Sequence, residues 1–358
     1  MARNEAESDA AHAFGHQGTM TQSSIPFYFD PRQLAHKPDR ELHNGGWADY
    51  SEKPSRAQSI LSKLGDPQSA KDFGIEPILH VHDTGYVEFL RTAHSDWRAA
   101  GRDGDAIAYA WPVVRRRNLN LHRIDARLGR YSFDAATPVT GDTWPSAYWS
   151  AQSALTALSA ISNRETSRAF ALCRPPGHHA GADYCGGYCY LNNAAIAAEQ
   201  GRRAGYRVAV LDVDYHHGNG TQDIFYDDAD VLFVSIHADP ATDYPFYWGH
   251  ADEKGEGAGR DKTVNLPLPR GTQAAEYLAA LEQGLAAIRG HGAELIVLSF
   301  GADTFAEDPI SNFELRREDY PEIAGRVAAL GLPVLVIMEG GYAVEELGEN
   351  VGAFLSGL

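Results

Sequence analysis

The chain has 358 residues, of which 44% are hydrophobic, and a formal net charge of −17. That length supports one large or two small domains with a full core, and the acidic balance argues against nucleic acid, whose phosphates need clustered Lys and Arg. No run of about eighteen apolar residues offers a membrane span, and three cysteines (Cys173, Cys185, Cys189) with no C-x-x-C pair give no disulfide framework and point to a reducing, cytoplasmic compartment.

In chain order, residues 1–22 read as a polar, flexible tail without the apolar centre of a secretory signal, with Met20 a candidate start. Residues 23–358 read as a single domain, since no repeat or low-complexity linker divides them. Helical patterns cover Ser55–Leu64 and Gly85–Ala99, and the stretch from Asp103 to Trp144, mixed in Pro, Gly, Arg and aromatics, reads as loop-rich. From Ala169 onward, apolar strand-like runs alternate with helical patterns. The strands are expected near Ala169–Cys173, Arg207–Val213, Val231–His237, Leu295–Phe300 and Pro333–Met338. The helices are expected near Asn192–Ala204, Gln273–Arg289, Arg317–Leu330 and Val344–Phe354. Near-continuous Val/Ile/Leu strands separated by helices predict a three-layer α/β/α fold around a predominantly parallel sheet.

Each of these strands ends in a polar or glycine-rich segment, and ligands of open parallel sheets bind outside the carboxyl ends of the strands. The second strand runs into Asp212-Val213-Asp214-Tyr215-His216-His217-Gly218-Asn219. Side chains two apart in extended chain point the same way, so Asp214 and His216 can reach one cation. A carboxylate and an imidazole suit zinc, and a catalytic zinc site takes three protein ligands with one open position. Asp303, in Gly301-Ala302-Asp303-Thr304 after the fourth strand, is the candidate third ligand; alone it would read rather as a turn or helix-cap acid, and the Asp214/His216 pair reverses that reading.

His178 and His179 follow Pro175-Pro176-Gly177. Adjacent histidines in a restricted loop suit acid/base work near neutrality. Asp212 can hold one imidazole with a carboxylate and Asn219 the other with a neutral amide, which would give the two rings different protonation states. Tyr342 follows Gly340-Gly341, whose flexibility lets a phenol approach a developing oxyanion. Tyr188 and Tyr244 read either as aromatic walls of a narrow tunnel or as core packing.

The strings Arg174-Pro-Pro-Gly-His-His-Ala, Gly187-Tyr-Cys-Tyr-Leu-Asn-Asn, Asp212-Val-Asp-Tyr-His-His-Gly-Asn-Gly-Thr, Gly301-Ala-Asp-Thr and Glu339-Gly-Gly-Tyr together resemble the arginase-like metal-dependent deacetylases, the histone deacetylase family, from about Ile25 to the C-terminus. The resemblance implies an arginase/deacetylase-like fold and one zinc held by Asp214, His216 and Asp303. It makes His178 and His179 the tandem histidines and Tyr342 the oxyanion donor. It also implies a structural potassium or sodium ion at Asp212, Asp214, His216, Ser235 and Ile236, several through backbone carbonyls.

Within the family the chain is most similar to the acetylpolyamine amidohydrolase subfamily, on Glu41-Leu-His-Asn-Gly-Gly, Gly220-Thr-Gln-Asp-Ile-Phe-Tyr, Asp239-Pro-Ala-Thr-Asp-Tyr-Pro and Phe305-Ala-Glu-Asp-Pro-Ile-Ser. That similarity implies a homodimer, tunnel aromatics at Tyr188 and Tyr244, and a small cationic acetylated amine as substrate. Of two acids that the subfamily can place at its tunnel mouth, Asp125 falls on one position and Ala136 on the other, with Asp134 close by; short acetylated diamines are therefore favoured over long polycations. The expected reaction is zinc-dependent hydrolysis of acetylputrescine, acetylcadaverine or acetylated polyamines. The rivals are a lysine deacetylase acting on peptides or proteins, a non-catalytic zinc-dependent binding protein and, more remotely, a two-manganese ureohydrolase, which would need more bridging carboxylates.

Overall fold

The five apolar runs form the middle of one sheet because both of their faces are covered. The computed structural model of the chain describes residues 25–43, 45–112 and 121–358; the expected tail at 1–22 lies outside the described residues. The strands are β1 (Phe27–Phe29), β2 (Arg40–His43), β3 (Gly46–Asp49), β4 (Gln68–Ser69), β5 (Arg168–Ala171), β6 (Val208–Asp212), β7 (Leu232–Ala238), β8 (Thr263–Leu268), β9 (Leu295–Phe300) and β10 (Val334–Met338). Eight of them form one sheet in the order β4-β1-β5-β10-β9-β6-β7-β8, and every pairing in it is parallel. Strands β2 and β3 form a separate antiparallel hairpin.

The helices are α1 (Pro54–Leu64), α2 (Glu76–Leu79), α3 (Thr84–Ala99), α4 (Ile124–Arg130), α5 (Thr143–Ser162), α6 (Asn193–Arg203), α7 (Asn219–Ile224), α8 (Ala274–His291), α9 (Tyr320–Ala328) and α10 (Val344–Ser356). Successive strand residues point to opposite faces, and the core divides accordingly. Ala209, Leu211, Ile296, Leu298, Val334 and Val336 pack with α1, α8, α9 and α10. Val208, Val210, Leu295, Val297, Leu335 and Ile337 pack with α5 and α6. This is the three-layer arrangement that the alternation predicts.

Local chemistry sets the boundaries. Asn192 caps α6 by accepting from the Ala195 N–H at 2.9 Å, and Asp83 caps α3 by accepting from Gly85 N–H at 2.7 Å. Gly292 closes α8 in the left-handed conformation, φ 71°. The pattern read as one helix over Arg317–Leu330 divides into a short 3-10 turn, Arg317–Asp319, and then α9. Within the stretch read as loop-rich, Ile124–Arg130 is helical, and residues 113–120 lie outside the described residues.

Two larger elements give no clear signal in the sequence. Helix α5 is twenty residues long and buried on nearly every side, so it has no polar stripe to reveal its period. Strand β8 is an edge strand carrying Asn265 and Pro267, a composition tolerated only at an edge. The three cysteines are buried and free. Among the described residues no helix is long and apolar enough to cross a membrane.

Candidate active site

The carboxyl ends of β5, β6, β9 and β10 converge, and the loops leaving them carry most of the chemistry. After β6 the chain turns sharply, so that the Asp214 N–H donates to Asp212 Oδ1 at 3.1 Å and the His216 N–H to Asp214 Oδ1 at 2.8 Å. After β9, Asp303 comes in from the neighbouring strand. Its Oδ1 accepts from the Tyr215 N–H at 3.0 Å and its Oδ2 lies 3.1 Å from His216 Nδ1. Asp214, His216 and Asp303 each offer a ligand atom, all within 4.8 Å of one another.

The chemistry of this donor set fits a cation. Asp214 and Asp303 are both fully buried, an arrangement that costs free energy unless positive charge lies between them. Burial and the Asp214 charge push the Asp303 carboxyl up to about 7. Burial opposes a charge on His216, but its contacts with Asp214 and Asp303 carry it up to about 10. A proton on His216 would thus supply, in part, the charge that a divalent ion would bring. The backbone leaves the room: a Cβ on Gly301 would come within 1.9 Å of Asp214 Oδ2, and one on Gly340 within 2.3 Å of Asp303 Oδ2. Gly340 N–H also donates to Asp214 Oδ2 at 2.8 Å, fixing that carboxylate.

His178 and His179 follow β5 with ring centroids 4.1 Å apart. His178 Nδ1 lies 3.0 Å from Asp212 Oδ2 and His179 Nδ1 2.7 Å from Asn219 Oδ1, the carboxylate and amide partners read from the sequence. Burial alone would lower both pKa values. For His178 the negative charges of Asp214 and Asp212 outweigh it and raise the ring to about 10. For His179 burial is reinforced by the neighbouring His178 and His216, and its pKa lies well below the ordinary value.

These groups open into a cavity of about 400 Å³ lined by His179, His216, Tyr188, Tyr244 and Tyr342, among others. His178, Asp214 and Asp303 do not line it. Two of the three tyrosines have their hydroxyls tied off. Tyr188 donates to Glu41 Oε1 at 2.9 Å and Tyr244 to Asp134 Oδ2 at 2.8 Å, so both offer ring surface to the cavity. Among the described residues the Tyr342 hydroxyl makes no hydrogen bond; its backbone is held, the N–H donating to Asp308 and the carbonyl accepting from the Val344 N–H. The Tyr188 backbone is in the left-handed region, φ 66°, and this turn, pinned by Gly187 N–H donating to Asp134 Oδ2 at 2.7 Å, aims its ring at Tyr342, 5.7 Å away.

Ser235 and Ile236 lie in β7, and Ser235 is in register with Asp212. Ser235 Oγ is 2.8 Å from His237 Nδ1. Asp125 does not join the site. It is buried in α4, and its carboxylate is held by Arg102, with Nη2 at 2.6 Å, and by Arg123 at 2.9 Å. The residue expected at the tunnel mouth is thus not part of this cavity's lining, and its charge is engaged by two guanidiniums. Asp134 and Ala136 line the cavity instead.

Arg56 carries no sequence signal of its own, and Glu339 stands in a family motif that does not disclose its contacts. Arg56, fully buried in α1, donates to Gly341 O at 2.6 Å, to Glu339 O at 2.5 Å and to Glu52 Oε1 at 2.8 Å, and its guanidinium lies 4.7 Å from the Tyr342 ring centre. Glu339 Oε2 accepts from the Gly177 and His178 N–H groups at 2.7 and 3.2 Å, tying the histidine loop to the tyrosine loop. An arginine on the buried face of an otherwise ordinary helix is the one hint available.

Residues 50–358 match the histone deacetylase domain. The chain is 49% identical over 340 residues to acetylpolyamine amidohydrolase 2 of Pseudomonas aeruginosa, covering 93% of this chain and 98% of that protein. It is 45% identical over 324 residues to the acetylpolyamine amidohydrolase of Mycoplana ramosa, covering 89% and 95%. The crystal structure of acetylpolyamine aminohydrolase from Burkholderia pseudomallei superimposes with a TM-score of 0.89 at 41% identity, covering 93% of this chain and 98% of that one. With its parallel sheet, its tandem histidines and its Asp-His-Asp group, the chain belongs to the histone deacetylase family of hydrolases.

Proposed function

We propose that the protein is a zinc-dependent amidohydrolase that removes acetyl groups from acetylated short diamines and polyamines, with residues 23–358 as one catalytic unit. The observation that carries this reading is one cavity walled by tyrosine rings and lined by His179, Tyr342 and His216, the last of these bringing the Asp214/His216/Asp303 group to it. The relatives' names support the substrate class.

A zinc ion held by Asp214, His216 and Asp303 would polarise the scissile carbonyl and lower the pKa of the attacking water. His179 is neutral, and with Asn219 Oδ1 accepting at Nδ1 its Nε2 lone pair is free for the cavity. It takes a proton from the water as the new C–O bond forms, and passes it to the amine nitrogen as the C–N bond breaks. His178, paired with Asp212 beside His179, supplies electrostatic support. The Tyr342 hydroxyl donates to the carbonyl oxygen as it gains charge. The products are acetate and a free amine.

The ring faces of Tyr188 and Tyr244 suit an extended alkyl chain, and with their hydroxyls engaged they offer it no competing donor. A potassium or sodium ion at Asp212, Asp214, His216, Ser235 and Ile236 belongs to the same proposal. The Asp214 and His216 carbonyls accept no hydrogen bond among the described residues, which suits them to such an ion. A homodimer is proposed on the subfamily resemblance alone.

The test is turnover on acetylputrescine, acetylcadaverine, acetylspermidine and an acetyllysine peptide. The small amines should give the highest kcat/KM. A clear preference for the peptide would replace this reading with a lysine deacetylase. Zinc bound without turnover of any of them would make the protein a binding protein.

A further inference from the structure

Tyr342 stands beyond two glycines, so the loop after β10 has little rigidity of its own. Arg56 supports that loop from beneath, at Glu339 and Gly341. A second anchor comes from the side of the cavity. Asp308 is buried, 6% exposed. Its Oδ2 accepts from the Tyr342 N–H at 2.6 Å and the Ala343 N–H at 3.2 Å, and its Oδ1 accepts from the Ile310 N–H at 3.1 Å. Pro309, Ile310, Ser311 and Asn312 line the cavity. One carboxylate therefore joins the backbone of the tyrosine to a wall against which a substrate would lie. Hydrogen bonds to a charged acceptor are short and strong, and three on one buried side chain leave its orientation little freedom.

We propose that Asp308 is a positioning residue for amide hydrolysis: by clamping the Tyr342 backbone to the 309–312 wall, it sets where the phenol meets the substrate carbonyl. The proposal rests on Tyr342 being the oxyanion donor. Asp308 itself touches no reacting atom. Its effect passes through Tyr342, and a misplacement on the order of 1 Å can cost a hundredfold in rate.

The experiment is a double-mutant cycle on the zinc-loaded enzyme with acetylcadaverine as substrate. Asp308→Ala is expected to lower kcat by about tenfold or more, within that range, while KM and bound zinc change little. In a Tyr342→Phe background the same substitution should have almost no further effect, because residues that act as a unit are not additive. Asp308→Asn keeps one oxygen acceptor and should fall between wild type and alanine; it also carries the cycle if the alanine variant does not fold. Equal losses in both backgrounds would overturn the proposal, as would a wild-type kcat for both Asp308 variants. A Tyr342→Phe enzyme with wild-type kcat would instead remove the oxyanion donor, and the positioning role with it.

Discussion

Asp214 and Asp303 come from different strands and meet as two buried carboxylates. Without a cation their repulsion is offset only in part, by a proton on His216 and by the backbone N–H groups of Tyr215 and Gly340, so a metal bound here would depend on the pair. Asp303→Ala should lose most of its bound zinc by elemental analysis and fall in activity with it; full retention of zinc would remove Asp303 from the ligand set. Tyr342 makes a different prediction, because it holds no metal-ligand position. Tyr342→Phe should bind zinc normally and lose roughly a hundredfold in kcat, the scale of one oxyanion donor. A near-wild-type rate would leave Tyr342 as packing. The two variants separate metal binding from transition-state stabilisation, which a single loss of activity does not.

At the scale of elements, the β2–β3 hairpin carries Glu41 to the back of Tyr188. Burial raises the Glu41 carboxyl to about 7, and the Tyr188 hydrogen bond only partly opposes this. The folded pKa thus lies above the unfolded one. Stability is full below the unfolded value and falls as pH rises through about 7, where the folded state must give up a proton it holds more tightly. Glu41→Gln is neutral throughout and its amide oxygen can still accept from Tyr188. Its melting temperature should therefore gain on wild type between pH 5 and pH 8, by about 1–2 °C for each kcal/mol of stability gained. Parallel melting curves across that range would mean that Glu41 is ionised at no cost. Elements were legible where burial is one-sided or where short apolar runs end in glycine: Leu295–Phe300 is the strand expected. Helix α5 was not legible, because a helix buried on all sides has no stripe.

At the scale of the whole molecule, the net charge of −17 should concentrate cationic substrates around the protein. KM for acetylcadaverine should rise with ionic strength more than KM for a neutral acetamide of equal length, since salt screens that attraction. Equal salt dependence would confine amine recognition to short-range contacts in the cavity. The sequence by itself determined the site groups that lie close together along the chain. Asp214 with His216, His178 with His179, and the polar endings of five strands are local patterns, and a parallel sheet gathers all such endings at one edge. Only the tertiary structure decided the contacts between distant segments. Arg56 reaches Gly341 across 285 positions and Arg102 captures Asp125 across 23. Such pairings depend on how helices settle on the sheet, and no periodicity records them. An acid reads the same in sequence whether it faces a cavity or a guanidinium, and here Asp134 and Asp243 line the cavity while Asp125 does not.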